Sequence, residues 1–118
     1  MIKGLTKAEP KLRFQKIPSG AQTTFKDLSV YVDRKVLGFT RDELHDYFTK
    51  HGVMTRKYFF PPLHKMRAYK HARKGGLAVT ERVASNVLSL PMYSHLTKGD
   101  MNRIIKTFKD FTYARKKD

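Results

Sequence analysis

Apolar and polar residues alternate along the chain from Leu28 to Asp33, and this alternation predicts the first clear strand. Leu28, Val30 and Val32 are separated by single polar or aromatic residues, a period of two that places one set of side chains on one face of a sheet. β-branched residues also fit a pleated, half-buried surface. We therefore predict a strand with one buried face that ends at Asp33.

The next segment carries the signals of a helix start and a helix stop. Thr40 is followed three residues later by Glu43, which is the spacing of a capping box. Gly52 offers the left-handed residue with which many helices end. The predicted buried stripe between these signals is formed by Leu44, Tyr47 and Phe48.

The remaining pattern predicts two more strands and two more helices. Residues 53–60 are read as a second strand, closed by Pro61 and Pro62 because proline cannot continue a ladder. Residues 63–76 are read as a basic loop or short irregular helix, and residues 88–92 as a short buried strand. A helix is expected to begin near Thr80, and its predicted apolar face is formed by Val79, Val83, Ala84 and Val87.

The last helix has the clearest pattern of the chain. Thr97 is its predicted N-cap and Asp100 stands at the third helical position. A full apolar stripe follows at helical spacing, formed by Met101, Ile104, Ile105, Phe108 and Phe111.

This order of elements predicts an α+β fold in which a small three-stranded sheet has helices packed on one face. Residues 1–22 are weakly patterned, apart from a short extended piece around Leu12 and Phe14 and a turn at Pro18. We interpret residues 1–22 as a connector from a large domain outside this chain, and residues 23–118 as one small domain.

Composition and charge narrow the classes of function. The chain has 118 residues and no cysteine, which excludes disulfides, thiolate metal sites and cysteine nucleophiles. Its apolar runs are too short to span a bilayer and its first residues do not form a secretory signal, so we expect a soluble cytoplasmic protein. The net charge is +15, which points either to an anionic partner such as phosphate or to a solvated basic surface.

Much of this charge lies in a long interval without acidic residues, between Asp46 and Glu81. A stretch of this kind favours phosphate or another anion as a neighbour. Both interpretations of the charge remain open. The cations of the interval are Lys50, Arg56, Lys57, Lys65, Arg67, Lys70, Arg73 and Lys74.

The residues alone indicate binding rather than catalysis. No glycine-rich phosphate loop, spaced histidine pair or Ser-His-Asp arrangement is present, and we predict no catalytic, cofactor-binding or metal-ligating residue. His45 and His51 are six residues apart and are read as surface or hydrogen-bonded histidines. No lysine lies in an apolar run that would bury it as a Schiff-base lysine requires.

Residues 55–64 form the most distinctive segment. Arg56 offers a fork for a phosphate or carboxylate, Tyr58 a hydroxyl, and His64 an imidazole placed just after two prolines that fix the backbone. The alternative is a plain strand followed by a basic surface loop. On the first interpretation the candidate substrate-binding residues are Arg56, Tyr58 and His64.

The same segment resembles the C-terminal part of the DegT/DnrJ/EryC1/StrS sugar aminotransferases. Members carry a run like G-I/V-x-T-R-x-H/Y-Y/F-x-P-x-H, and here residues 52–59 read GVMTRKYF and residues 61–64 read PPLH. Further motifs follow the family order and nearly span the chain: QKIPSG at 15–20, RDEL at 41–44, LAVTE at 77–81 and SLPMYSHLT at 89–97. The sequence departs from the pattern at Ala78, which replaces the usual proline, and at Tyr58, where many members have histidine.

The resemblance implies the small C-terminal domain of a fold-type-I, pyridoxal-phosphate-dependent aminotransferase. Such enzymes move an amino group, usually from glutamate, to the keto group of a nucleotide-linked sugar, as in polysaccharide biosynthesis, and they work as dimers. Arg56, Tyr58 and His64 would then face the active-site cleft. The family's Schiff-base lysine and phosphate-binding residues belong to the large domain, and nothing in this sequence matches them.

Three hypotheses follow from the sequence. The leading one is an aminotransferase small domain that is inactive and binds no pyridoxal phosphate without its large domain or a partner subunit. The second is a free-standing basic module that binds nucleic acid, and the third is a module that docks on a complete aminotransferase. Whether the chain is itself an enzyme is left open.

Overall fold

The computed structural model describes residues 1–24, 26–72 and 75–117. Its helices and strands confirm the predicted α+β class. In chain order they are α1 (Ile2–Ala8), β1 (Arg13–Phe14), β2 (Leu28–Tyr31), α2 (Arg34–Leu37), α3 (Arg41–Lys50), α4 (Ala78–Asn86), β3 (Val87–Leu90) and α5 (Lys98–Lys116), with 3-10 turns at Leu63–Lys65 and Arg67–Tyr69.

The sheet has three antiparallel strands in the order β1-β2-β3. Leu28 pairs with Leu90 and Val30 with Leu88, and all four side chains are buried on one face. The opposite face is polar at its centre, where the Ser29 and Ser89 hydroxyls are 2.9 Å apart. The period of two around Leu28 therefore correctly predicts both the strand and its buried face.

Helices α3, α5 and α1 form the layer that covers the apolar face. Helix α3 packs against β3 and α5, and α1 packs against α5. The ring of Phe111 on α5 meets Phe39 edge-on, with centroids 4.9 Å apart. The buried apolar side chains of the two longer helices are Leu44, Phe48, Ile104, Phe108 and Phe111, which confirms most of both predicted stripes.

Both predicted capping boxes are present, and they fix where the two longer helices begin. The Glu43 amide donates to Thr40 Oγ1 over 3.2 Å, and Thr40 N donates to Glu43 Oε2 over 2.6 Å. Thr97 and Asp100 make the same reciprocal pair at the start of α5. The Thr40 backbone hydrogen bond lowers the pKa of Glu43, because it favours the charged carboxylate.

Gly52 follows α3 in a left-handed conformation with φ of 69°, as its position predicts. A Cβ there would lie 2.7 Å from Arg103 Nη2. That guanidinium donates to the His51 carbonyl over 2.9 Å. Glycine at this position therefore allows α5 to bond the end of α3.

The predicted strand at residues 53–60 is wrong. Within this segment only Arg56 forms a β-bridge. Its partner is Ser89, and the two backbone hydrogen bonds between them are 3.0 and 2.9 Å long. Pairing cannot continue because Phe59 has φ of 50°, in the left-handed region where no strand residue lies. The third strand of the sheet is instead β1, a two-residue edge strand.

The first residues of the chain form part of the core, which their weak pattern did not predict. Leu5 on α1 is fully buried and Leu12 is 6% exposed. Gly4 lets α1 approach α5, because a Cβ at that position would lie 2.6 Å from Ile105 Cδ1. The assignment of residues 1–22 as a connector from a large domain stays a prediction.

Helix α4 begins close to the predicted position, but most of its predicted apolar face is not buried. Ala84 is the one residue of α4 that is buried, whereas Val79 is 61% and Val83 41% exposed. Both valines line an open groove rather than the core.

Helix α3 holds residues 55–60 in place through a buried arginine. Arg41 is 2% exposed, and its Nη1 donates to the Ala84 carbonyl on α4 over 2.7 Å. Its guanidinium carbon also lies 4.5 Å from the centroid of the Phe60 ring. One side chain thus joins the start of α3, the end of α4 and the segment that carries the candidate site.

Two neighbours of Arg41 on α3 strengthen this attachment. Asp42 Oδ1 accepts from Lys57 Nζ over 2.7 Å and from Arg41 Nε over 3.0 Å. The Lys57 hydrogen bond, more than the Arg41 one, lowers the pKa of Asp42. His45 Nδ1 is 2.6 Å from Thr55 Oγ1, so this histidine is hydrogen-bonded within the fold, as expected.

The role of α1 in the core can be tested with a Leu5→Ala substitution. We expect the free energy of unfolding to fall by about 2–5 kcal/mol, because a fully buried leucine is removed. Urea denaturation followed by circular dichroism measures this change. The Ile2→Ala control, at a position 39% exposed, should lower the free energy of unfolding far less. Equal and small effects of both substitutions would show that α1 contributes little to stability.

Arg41→Met tests the attachment of residues 55–60. It leaves the Ala84 carbonyl without its donor, which we expect to cost about 1–3 kcal/mol, and it should shift the backbone amide resonances of residues 57–60. Arg34→Met, at an exposed position on α2, is the matched control and should do neither. Unchanged resonances at residues 57–60 would contradict the proposed attachment.

Candidate functional site

The three predicted site residues lie around two depressions that share Tyr58. The larger depression, which we call the apolar groove, has a volume of about 740 Å³. One wall is formed by residues 58–64 and the other by α4, and the polar face of the sheet forms its floor. The apolar groove is lined mainly by Tyr58, Phe59, Pro62, Leu63, His64, Leu77, Val79, Val83, Ala84 and Val87.

Arg56 and Tyr58 line the smaller depression, of about 330 Å³. The Arg56 backbone is fixed by its bridge to Ser89, while its side chain is exposed. Met54, Met92 and Tyr93 line the same depression. The Arg56 guanidinium can therefore move toward an anion while the Arg56 backbone is held.

His64 lies on the other side of Tyr58 and is hydrogen-bonded to Glu81 on α4. Its Nε2 is 2.8 Å from Glu81 Oε1, and its side chain is 11% exposed. The His64 hydrogen bond lowers the pKa of Glu81, and Lys65, with its Nζ 3.4 Å from the same oxygen, lowers it further. An ionised carboxylate only accepts, so Nε2 of His64 is the donor in this hydrogen bond.

The structure therefore brings the predicted residues together in pairs. Tyr58 and His64 share the apolar groove, and Arg56 and Tyr58 share the smaller depression. Arg56 and His64 share neither. The Tyr58 ring is further oriented by an edge-on contact with Phe59, with centroids 4.6 Å apart.

Beyond Glu81 lies a third depression, the basic groove, with a volume of about 620 Å³. Its lining includes His64 and the cations Lys65, Arg67 and Lys70, and Glu81 is its only acid among the described residues. Arg73 and Lys74, which belong to the predicted basic interval, lie outside the described residues. The arrangement suits an anion, with Glu81 holding His64 and Lys65 in position.

Glu81 and Arg41 shape the site but were not among the site residues predicted from the sequence. The His64–Glu81 pair spans 17 residues and the Arg41–Ala84 bond spans 43, so neither leaves a periodic signal. The hints were that Glu81 ends the acid-free interval and that the two residues fall in the motifs RDEL and LAVTE.

The described residues do not fit a covalently held pyridoxal phosphate. None of their lysines is buried, and the least exposed, Lys57, is paired with Asp42. A carboxylate partner favours the ammonium form, whereas a Schiff-base lysine needs the neutral amine. No cluster of three or more metal-binding side chains occurs in the described part of the chain.

Within residues 1–24, 26–72 and 75–117, none of the helices combines the length and apolar content needed to cross a membrane.

Comparison with solved structures places this fold among aminotransferases. A DegT DnrJ EryC1 StrS aminotransferase from Brucella abortus superposes with a TM-score of 0.75 at 28% identity, covering 93% of this chain and 29% of that one. DesI, solved in the presence of its TDP-sugar product, superposes with a TM-score of 0.79 at 24% identity, covering 98% of this chain and 32% of that one. At 24% identity, the likeness to DesI shows the fold alone.

Sequence comparison leads to the same group of proteins. The chain is 28% identical over 96 residues to a dTDP-4-amino-4,6-dideoxy-D-glucose transaminase of Shigella dysenteriae, which covers 80% of this chain and 26% of the relative. It thus spans about a quarter of the relative's length. The model of the DegT/DnrJ/EryC1/StrS aminotransferase family matches residues 2–109. The resemblance expected from the motifs is confirmed, and the chain belongs to the DegT/DnrJ/EryC1/StrS aminotransferase family.

Proposed function

We propose that this chain is the small C-terminal domain of a nucleotide-sugar aminotransferase and that it is inactive without the large domain of that enzyme. The single observation that carries the proposal is the family match over residues 2–109, on a chain that spans 26% of its Shigella relative. That relative is named for a dTDP-linked sugar. The proposed reaction moves an amino group from glutamate to the keto group of a nucleotide sugar in the cytoplasm.

Arg56, Tyr58 and His64 are the proposed contacts to the sugar nucleotide. The Arg56 side chain is exposed on a fixed backbone, so its guanidinium can donate two parallel hydrogen bonds to a diphosphate. Tyr58 lies between the two depressions, where its hydroxyl suits a sugar oxygen. His64, oriented by Glu81 over 2.8 Å, offers its second ring nitrogen to the same ligand.

Pyridoxal phosphate, when bound to the complete enzyme, supplies the electron sink for amino transfer. Because the lysines described here do not fit it, we assign its binding to the large domain and expect none on this chain alone. In our proposal the part of this chain is to bind and orient the sugar nucleotide. A homodimer of the complete enzyme is part of the same proposal.

A second candidate, binding of nucleic acid, is favoured by one observation. Lys65, Arg67 and Lys70 line one groove within a chain of net charge +15. Binding through phosphates would weaken steeply as salt increases. Strong, salt-dependent binding of RNA together with no binding of sugar nucleotide would favour this candidate.

Titration of the isotope-labelled chain with dTDP-glucose, followed by nuclear magnetic resonance, tests the first proposal. We expect saturable shifts of the resonances of Arg56, Tyr58 and His64. Arg56→Gln should weaken binding about tenfold, the amount associated with losing one charge-assisted hydrogen bond. Lys3→Gln on α1 removes the same charge at an exposed position and should leave the dissociation constant unchanged; equal loss in both variants would indicate general electrostatic attraction instead.

A parallel titration with pyridoxal phosphate separates substrate binding from cofactor binding. The proposal expects no saturable absorption band near 400 nm. A saturable band that is lost in the Tyr58→Ala, His64→Ala double variant would mean that this chain retains part of a cofactor site.

A further inference from the structure

A row of lysines runs along the exposed side of α5, in the helical layer on the other side of the sheet from the candidate site. Lys98, Lys109 and Lys116 are separated by 11 and 7 residues, which are close to three and two turns of helix. The three side chains therefore lie on one side of α5, about 16 Å and about 10 Å apart along its axis. All three are exposed, and none lines the three depressions described above.

Helix α1 lies beside this row and adds a cation to it. The two helices run in the same direction, because Gly4 meets Ile105 and, farther along, the end of α1 reaches the end of α5. Lys7 comes three residues after Gly4, and Lys109 four residues after Ile105. Both lysines therefore lie about one turn beyond this contact, and both are exposed at the seam between the helices.

The carboxylates of these two helices are engaged elsewhere. Asp100 belongs to the capping box of α5, and Asp110 pairs with Lys106 over 2.6 Å. Glu9, just after α1, is buried and lies 3.5 Å from Lys116 Nζ. Among the described residues, no carboxylate lies within ion-pair distance of the other three lysines, which are Lys7, Lys98 and Lys109.

An exposed aromatic ring lies within the row. Tyr113 is 63% exposed. It comes four residues after Lys109 and three before Lys116, so the three side chains are neighbours on the helix surface. Lys117 Nζ lies 4.8 Å from the centroid of the Tyr113 ring. Proteins that bind single-stranded nucleic acid combine cations, which hold the phosphates, with exposed rings on which bases stack.

The composition of this surface selects among anionic partners. A helix that binds a membrane surface buries apolar side chains in the lipid, whereas Ile104, Phe108 and Phe111 of α5 pack in the core. A second copy of this chain carries the same net charge of +15, which opposes association. An acidic peptide matches the charge but offers no base to stack on the ring. Bases of a duplex are already stacked on one another, so an exposed ring suits a single strand.

We infer that the exposed side of α5, with the adjoining end of α1, binds single-stranded nucleic acid. The lysines contact phosphates along the strand and the aromatic ring stacks on a base, so binding depends steeply on salt and little on sequence. This inference goes beyond the proposed function, since it involves no proposed contact to the sugar nucleotide. It also differs from the second candidate, which uses the cations of the basic groove. The residues of this surface, the α5 face, are Lys7, Lys98, Lys109, Tyr113 and Lys116.

Two triple variants that remove the same charge test the α5 face. The first replaces its three unpaired lysines, Lys7, Lys98 and Lys109, by glutamine. The control variant replaces the three cations of the basic groove, Lys65, Arg67 and Lys70, by glutamine. All six side chains are exposed, and circular dichroism checks that both variants are folded.

The probe is a fluorescein-labelled oligothymidylate of about 16 nucleotides, the upper end of the site sizes of single-strand binding folds. Fluorescence anisotropy at several salt concentrations measures its dissociation constant. The α5-face variant should bind at least about tenfold more weakly, and the slope of log K against log salt should fall by about 2, the amount for three phosphate contacts. The control should change the dissociation constant by no more than about threefold at physiological salt, because distant charges are screened.

A pair of tyrosine variants tests the stacking contact separately from charge. Tyr113→Ala should weaken binding about fivefold or more, the effect of losing one stacked base. Tyr69→Ala is the matched control, at a position 49% exposed beside the basic groove, and should leave the dissociation constant unchanged. In the unaltered chain, the ring resonances of Tyr113 should shift as the oligonucleotide is added.

Several results would overturn the inference. Equal losses in the two triple variants would reduce the binding to general attraction by the net charge, and a larger loss in the basic-groove variant would favour the second candidate. Unchanged binding of Tyr113→Ala would exclude the stacking contact. Tighter binding of phosphatidylserine vesicles or of polyglutamate, lost in the α5-face variant, would assign the surface to a membrane or to an acidic protein. Absence of oligonucleotide binding at low salt would also contradict it, while the sugar-nucleotide titration decides the proposed function independently.

Discussion

The buried guanidinium of Arg41 is the interaction on which the arrangement of the site depends. It donates to the Ala84 carbonyl over 2.7 Å and lies against the Phe60 ring at 4.5 Å. A guanidinium that is 2% exposed is tolerated only when its donors find acceptors, and these are the Ala84 carbonyl on α4 and the Asp42 carboxylate on α3. The walls of the apolar groove are therefore fixed relative to one another by one side chain.

A consequence of this arrangement is that residues 55–60 have a fixed backbone, while several apolar side chains that line the apolar groove are exposed. Residues 55–60 are held from α3 by Arg41, Asp42 and His45, yet the side chains facing the groove remain open to solvent. The cations nearby are similarly unbalanced, with Glu81 as their one described carboxylate in the basic groove. The matching region of this chain covers 26% of its Shigella relative.

Local signals in the sequence were sufficient for the elements that depend on local physics. The alternation around Leu28, the two capping boxes at Thr40 and Thr97 and the stripe of α5 each involve residues within a few positions, and each was predicted correctly. The strand expected at residues 53–60 was wrong because its apolar composition says nothing of the left-handed Phe59. Helix α1 was missed because its stability comes from Leu5 packing on α5, about a hundred residues away.

The site could be predicted only in part for the same reason. The motif residues Arg56, Tyr58 and His64 were visible as a cluster in sequence, and the structure gathers them in pairs around Tyr58. The residues that fix them, Arg41 and Glu81, act over 43 and 17 positions, and such pairings emerge only from the fold. Likewise Val79 and Val83 follow a helical apolar pattern that buried and exposed helix faces can share.

A hybrid in which this chain replaces the matching 96 residues of the Shigella dysenteriae transaminase, assayed for transamination of its sugar nucleotide, tests whether Arg56 contributes to substrate binding in a complete enzyme. We expect a folded hybrid that binds pyridoxal phosphate and has measurable activity, and whose kcat/KM falls when Arg56 is replaced by glutamine and is unchanged when Lys3 is. A hybrid that is folded and loaded with cofactor but shows no activity, or whose activity ignores Arg56, would contradict this expectation.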